Sequence, residues 1–413
     1  MKGSVAVAAA AVPVVTYKDA TAPTPLAPMT AKADSGLGLN DSPSDEIKPT
    51  SVPTPVKEKE RLTPEQKHAK ALVERERRLQ EVLGVLEGRK ALPAGMQDLV
   101  FHNFIGDGTY GFVVTAFRGE QEVAVKFIFK DKIPATAWMH DADLGAVPSE
   151  IFFLKNLRHP NLIKFLGCYS DEQYMMLVTE LHGTSWDAVN PELQGRYLEG
   201  LRPIPRAQRV GDEGKGDLNT LASLNAAQRE RLRPRVSCDL FECIDAHEYF
   251  PERVVRHIFK QIVDVVGYLH SQGIVHRDLK DENITIDANY TVKLIDFGSA
   301  AFIPKASQQW FDRFLGTMDF AAPEIVEGFR YRGPEVEIWA LGVLLYILVF
   351  RQVPFKSQDE IPRAKPNLPP GLAEWYAGTH DLYDLIKWTL APIKDDRPSI
   401  QQVKQHRWMS LTS

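Results

Sequence analysis

Between residues 98 and 133 the chain reads DLVFHNFIGDGTYGFVVTAFRGEQEVAVKFIFKDKI, apolar residues alternating with polar ones in runs broken by glycines and by the turn Arg118-Gly119-Glu120. Alternation of period two belongs to strands, and runs joined this tightly pair antiparallel, so three strands are expected. Beyond residue 238 the period lengthens. ERVVRHIFKQIVDVVGYLH has one apolar stripe at helical spacing, and ALGVLLYILVF at 340–350 is apolar on every side, as a buried helix is. A chain that changes period in this way folds as segregated α+β, a small antiparallel sheet unit with one main helix followed by a larger, mainly α-helical unit.

The stretches between fill in this outline. SEIFFLKNLRH after Pro148 predicts a short helix with Ile151, Leu154 and Leu157 on one face, and LIKFLGCYSDEQYMMLVTEL at 162–181 predicts two more strands. ITIDANYTVKLIDFG reads as a strand pair around Asp287-Ala288-Asn289. Ahead of the sheet, residues 1–61 are dominated by Ala, Pro, Ser and Thr and form a low-complexity tail expected to stay disordered. Residues 62–92 predict one helix, with Thr63 as cap and Pro64 in the first turn, and Leu72, Leu79 and Leu86 recur at heptad spacing. So short a heptad pattern does not make a coiled coil, and the helix is expected to dock on the unit that follows.

With 413 residues, 44% of them hydrophobic, the chain can bury a sizeable core. A net charge of −5 argues against a nucleic-acid partner and leaves small molecules or proteins as substrates. Cys168, Cys238 and Cys243 have neither disulfide-framework nor zinc spacing, which suits a cytoplasmic protein, with the nucleus also open to it. The run at 340–350 is well short of the roughly 18 apolar residues of a membrane span, so no membrane partner is expected. KGSVAVAAAAVPVV at 2–15 is only weakly apolar and reads as tail rather than as a signal peptide. A monomer is expected.

GDGTYGFV at 106–113 joins two of the predicted strands and matches the glycine-rich pattern that lies over ATP phosphates, with VAVK on the next strand. Alternation puts Ala124 and Lys126 on one surface, a small residue for an adenine ring and an ammonium for phosphates. Gly106, Gly108, Gly111, Val113, Ala124 and Lys126 are therefore candidate nucleotide contacts, with Thr179 at the rear of the pocket and backbone groups of Glu180 and Leu181 toward the adenine. Glu150, at the start of the next helix, is the carboxylate that can hold Lys126. HRDLKDEN at 276–283 then supplies what phosphoryl transfer requires. Asp278 would be the base for the attacking hydroxyl, Lys280 the charge neutraliser and Asn283 a metal ligand, with Asp296 of DFG as the other ligand to Mg²⁺. APE at 322–324 offers Glu324 as a partner for Arg397 of DDRPSI.

Taken in order, these motifs resemble those of a eukaryotic protein kinase over residues 98–411. The resemblance implies a two-lobed protein kinase fold, with an N-lobe at 98–182, a C-lobe at 238–411 and ATP in the cleft between them. Lys280 two residues after the base, and Thr317 in GTMDFAAPE, are similar to the serine/threonine class and put Thr317 near Asp278 and Lys280. LGAVPSEI, ELHG, DLFECIDAH, KLIDFGSAAF and YRGPEVEIWALGVLLYILVF narrow the resemblance to PAS-domain serine/threonine kinases, relatives of the calmodulin-dependent group. Glu337 stands where most kinases carry aspartate, and PAS kinases share the longer acid. The likeness implies ATP and Mg²⁺ as cofactors, Ser/Thr acceptors in protein substrates with a basic residue upstream, and a role in nutrient and metabolic signalling. Asp239, Glu242 and Glu282 are candidate acids for that basic residue, and Asp239 has the ATP ribose as a rival partner.

Three departures set this chain apart. Residues before 98 are too few and too low in complexity for a PAS sensor, as in a short paralogue or an incomplete sequence. Residues 186–237 interrupt ELHG and DLFECID, which the family joins almost directly. This insertion is either a solvated excursion or, through RERLRPR at 229–235, a docking or regulatory element beside the cleft. Arg277 belongs to kinases whose arginine meets an activation-segment phosphate, yet PKASQQWFDRFLGT offers only Ser307 before Thr317. Activity without activation-segment phosphorylation is therefore expected. A pseudokinase scaffold would lack one of Lys126, Glu150, Asp278, Asn283 or Asp296, and a small-molecule kinase would lack the GT…APE segment. The sequence has all of them.

Overall fold

Val123, Val125 and Phe127 are fully buried while the intervening Ala124 and Lys126 are only partly covered, so this strand shows one face to a core and the other to a cleft. It is the centre of the sheet in the computed structural model, which describes residues 76–77, 79–108, 110–186, 225–226, 238–305, 310–363, 366 and 379–411. The tail at 1–61, the first half of the flanking helix with Leu72, nearly all of the insertion and Ser307 lie outside the described residues. Helix α1 spans 79–86. Strands β1 (Leu99–Gly108), β2 (Gly111–Arg118) and β3 (Gln121–Phe129) follow as antiparallel hairpins. After β4 (Trp138–Asp141), β5 (Gly145–Pro148) and α2 (Ser149–Asn156) come β6 (Phe165–Ser170) and β7 (Tyr174–Glu180). The five-stranded sheet runs β1-β2-β3-β7-β6.

The strands expected at 98–133 and 162–181 and the helix after Pro148 are all present. The β4–β5 hairpin was not expected. Its strands are four residues each, too short for alternation to show in WMHDADLGAVP, and Gly145 takes the left-handed φ of +71° that its turn needs.

α1 covers the outer face of the sheet. Val82, Leu83, Val85 and Leu86 are buried in one cluster with Phe112, Phe127, Phe129, Tyr174 and Met176. The phenol of Tyr174 donates to Glu81, and Lys90 lies 3.9 Å from the centre of the Tyr174 ring. Truncating Leu83 to alanine should cost about 2–3 kcal/mol in chemical denaturation, the usual loss for a buried leucine. A cost near zero would mean that α1 is dispensable to the sheet.

The second unit begins with α3 (Leu240–Ala246) and the 20-residue α4 (Glu252–Ser271). Short strands follow: β8 (Ile274–Val275), β9 (Ile284–Ile286), β10 (Val292–Leu294) and β11 (Ala301–Phe302). Then come α5 (Pro323–Val326), α6 (Pro334–Phe350), α7 (Thr379–Thr389), α8 (Ile400–Gln405) and α9 (Arg407–Ser410). α6 is buried at every residue from Val336 to Val349, as the apolar run from Ile338 onward requires, with the acid Glu337 buried ahead of it. At Gly342 the end of α7 packs tightly, since a Cβ there would lie 2.6 Å from the Thr389 hydroxyl. No helix among the described residues is long and apolar enough to cross a membrane.

Two two-stranded ladders, β8 with β11 and β9 with β10, bracket the loop at 276–283 and the turn at 296–298. They hold those two segments against the cleft face of the sheet.

Candidate active site

Register fixes the roof of the cleft. Val113 pairs with Lys126, and Ala124 pairs with Thr179, so their side chains share one face of neighbouring strands. Leu177, opposite Lys126, belongs to the same face. It escaped the sequence reading, although the alternation Met175, Leu177, Thr179 carries it. The side chain of Glu180 turns away to Lys293 at 2.8 Å, and its amide donates to Lys164 O at 3.0 Å. Of the two backbone positions expected to face adenine, Glu180 therefore has its carbonyl rather than its amide to offer.

The glycines divide. A Cβ on Gly106 would meet nothing within 4 Å, and one on Gly108 only the Gly111 carbonyl at 3.9 Å. At Gly111 a Cβ would overlap the Phe127 carbonyl, so that glycine is already required by the close pairing of β2 and β3.

Lys126 Nζ lies 2.7 Å and 2.9 Å from the two Glu150 oxygens and 3.3 Å from Asp296 Oδ1. Burial pushes the Glu150 carboxyl up to about 7 against the pull of Lys126. Burial would also lower the Lys126 pKa, but Asp296 and Glu150 outweigh it and hold the ammonium above its usual range. The charge of Lys126 in turn holds Asp296 below the ordinary carboxylate range.

Below them, Asp278 Oδ1 accepts both the amide and the hydroxyl of Thr317, each at 3.1 Å. Its Oδ2 accepts Asn283 Nδ2 at 3.0 Å. Lys280 Nζ reaches Thr317 Oγ1 at 3.0 Å, Glu282 at 3.0 Å and Asp278 Oδ2 at 3.7 Å. Asn283 also spends Nδ2 on the Asp278 carbonyl at 2.7 Å, so its side-chain oxygen is the atom that can face a cation. Asp296, charged and 44% exposed at its side chain, can face the same cation. Two oxygen ligands suit Mg²⁺, which keeps waters and takes phosphate oxygens for the rest of its shell.

The loop and the DFG turn are locked together. His276 Nε2 lies 3.0 Å from Ile295 O, and its ring meets Phe297 edge-on at 4.9 Å. Arg277 and Asp296 are two of the four non-glycine residues with left-handed φ among the described residues, a strain that functional loops commonly hold. From α6, Glu337 accepts the amides of His276 and Arg277 with one oxygen and His270 Nε2 at 2.7 Å with the other. His270 was not foreseen as part of this anchor, because nothing local in YLHS marks it.

Asp239 is the N-cap of α3, accepting the Glu242 amide at 2.8 Å. This capping role precedes either of the ligand roles expected for it. Glu324 and Arg397 meet in a two-pronged pair at 2.7 Å and 2.8 Å, as their motifs implied.

Residues 99–194 and 233–409 match the family described as Protein kinase domain. The chain belongs to the protein kinase family. Between its two matched stretches lie residues 195–232, inside the insertion. Over 308 residues the kinase is 35% identical to the PAS domain-containing serine/threonine-protein kinase of Mus musculus, covering 74% of this chain and 18% of that one. It is 32% identical over 322 residues to serine/threonine-protein kinase PSK2 of Saccharomyces cerevisiae, covering 76% and 24%. With serine/threonine-protein kinase ppk6 of Schizosaccharomyces pombe it is 34% identical over 310 residues, covering 74% and 32%. The kinase thus spans less than a third of the length of these relatives.

Proposed function

We propose that this chain is an ATP- and Mg²⁺-dependent protein serine/threonine kinase of the PAS-kinase type. The observation that carries the proposal is that every charged group the transfer needs stands in place at once. Lys126 is paired with Glu150 and Asp296, and Asp278 is tied to Thr317, Lys280 and Asn283.

Asp278 would orient a serine or threonine hydroxyl and take its proton as the oxygen bonds to the γ-phosphorus. The bond from that phosphorus to the β-phosphate bridging oxygen breaks in line, and ADP leaves. Lys126 would hold the α- and β-phosphates, Glu150 would keep Lys126 aimed, and Lys280 would offset charge on the phosphoryl oxygens. A Mg²⁺ ion at Asn283 and Asp296 would supply further charge neutralisation on the phosphates. Gly106, Gly108, Gly111, Val113, Ala124 and Thr179, with the Glu180 and Leu181 backbone, would receive the nucleotide, and positioning would account for most of the rate.

Activity without activation-segment phosphorylation belongs to the proposal. The guanidinium of Arg277 donates to Ser299 O at 2.7 Å and lies 4.6 Å from the Phe311 ring centre. Phe311 and Tyr331 exchange two backbone hydrogen bonds, and the Tyr331 hydroxyl donates to Arg313 O at 3.1 Å. Trp310 packs under Lys394 at 4.3 Å. These aromatic and backbone contacts at 310–313 support a reading in which no phosphate is needed to order that stretch. Ser307→Ala should keep kcat/KM within about twofold of the unsubstituted chain. A loss beyond tenfold, matched by a similar loss when phosphate is removed from Ser307 of the parent, would contradict this.

Substrates with a basic residue upstream of the acceptor, a place in nutrient and metabolic signalling, a cytoplasmic site with access to the nucleus and a monomeric state complete the proposal. They rest on the resemblance to PAS kinases and on composition. Phosphate transfer to serine peptides with and without an arginine three residues upstream tests the first. Equal kcat/KM for the two would remove it.

A further inference from the structure

α2 carries Glu150 in its first turn and Lys155 near its last, five residues on and so about 140° round the helix. Lys155 is a buried lysine. Its side chain is 4% exposed, and Nζ is held by Asp141 Oδ1 at 2.5 Å and Asp143 Oδ2 at 2.6 Å. The next residue, Asn156, donates Nδ2 to Asp141 Oδ2 at 3.3 Å.

Asp141 serves two elements at once. Its Oδ1 accepts the amides of Asp143 and Leu144, each at 3.0 Å, which closes the turn between β4 and β5. The same carboxylate holds the end of α2 through Lys155 and Asn156. At the other end no linker separates hairpin from helix, because Pro148 is both the last residue of β5 and the N-cap of α2. Val147 and Ile151, both fully buried, fill the space between.

The hairpin is thus fastened to both ends of α2, by the chain at the start and by a buried ion pair at the finish. A frame closed in this way restrains rotation of the helix about its axis. That rotation is what aims Glu150 at Lys126. We infer that Lys155 is a positioning residue for phosphoryl transfer, acting through Asp141 and Asp143 of the β4–β5 hairpin to hold Glu150 on Lys126. The inference rests on the kinase function proposed above. It makes closure of the Lys126–Glu150 pair a property of the single chain, set by a hairpin whose sequence carries no catalytic motif.

The test is a cycle on the full chain, measuring steady-state transfer from Mg·ATP to a serine peptide for Lys155→Met, Glu150→Gln and the double variant. Lys155→Met should lower kcat about tenfold and leave the peptide KM within about twofold, because the defect lies in aiming rather than in substrate binding. In the Glu150→Gln background it should cost less than about twofold, since no carboxylate is left to aim. Lys155→Arg should regain most of the activity, and amide exchange across 149–156 should quicken in Lys155→Met. Should Lys155→Met fail to fold, Asp143→Ala removes one of the two bonds at a half-exposed carboxylate and should show the same non-additivity on a smaller scale. Equal losses in both backgrounds, or full activity in Lys155→Met, would overturn the inference while leaving an active kinase. Absence of transfer by the unsubstituted chain would overturn the kinase proposal and the inference with it.

Discussion

Asp278→Asn should lower kcat by about a thousandfold, within the range that general-base groups contribute, and leave the KM for ATP nearly unchanged. Asparagine keeps one oxygen at the position that accepts the Thr317 amide and hydroxyl, so the loop should hold its shape. What it loses is the acceptor for the proton of the attacking hydroxyl. Its Nδ2 would also face Asn283 Nδ2, donor against donor, at a place where a 3.0 Å hydrogen bond now stands. The measurement is steady-state transfer at saturating ATP, with circular dichroism to confirm that the variant is folded. A loss of less than tenfold would show that Asp278 is not the base.

Arg397→Ala should cost about 3–5 kcal/mol of stability, the usual result of stripping one partner from a buried ion pair. The Arg397 side chain is completely buried, and all three guanidinium nitrogens are engaged. Nε donates to Ala391 O at 2.8 Å, Nη1 to Glu335 O at 3.0 Å and Nη2 to Pro392 O at 3.2 Å, besides the two bonds to Glu324. Removing the guanidinium strands the Glu324 carboxylate and three carbonyls in the helical unit. Urea denaturation reads the loss. Adding Glu324→Gln should recover part of it, because an amide is cheaper to bury alone than a carboxylate. A cost below 1 kcal/mol would mean that water reaches the site and screens the stranded charge.

The groups that the sequence made legible are those set by local order along the chain. Lys126 is placed by alternation on one strand, Asp278 and Asn283 by a single loop, and Asp296 by the hairpin that follows. What stayed hidden depends on where distant segments meet. His270, 67 residues before Glu337, joins the catalytic-loop anchor only because α4 and α6 pack side by side. Phe311 and Tyr331 pair across 20 residues with no pattern in either segment. The pairing of Lys155 with Asp141 and Asp143 stayed hidden because those carboxylates sit on a hairpin too short to show its period. Gly111 carried a clear functional reading from its motif, yet the backbone of β3 already excludes any side chain there. Besides the ligand roles expected for it, Asp239 caps a helix, a duty its place before LFEC could have suggested.

Transfer of phosphate by this chain to serine or threonine is the activity on which every role above depends. It is tested most directly by incubating the full chain with labelled Mg·ATP and paired peptides that differ only in serine or tyrosine at the acceptor, beside Asp278→Asn. Label is expected on the serine peptide, with little on the tyrosine peptide and about a thousandth of the parent rate with Asp278→Asn. ATP binding without transfer, or a loss of less than tenfold in Asp278→Asn, would overturn this reading.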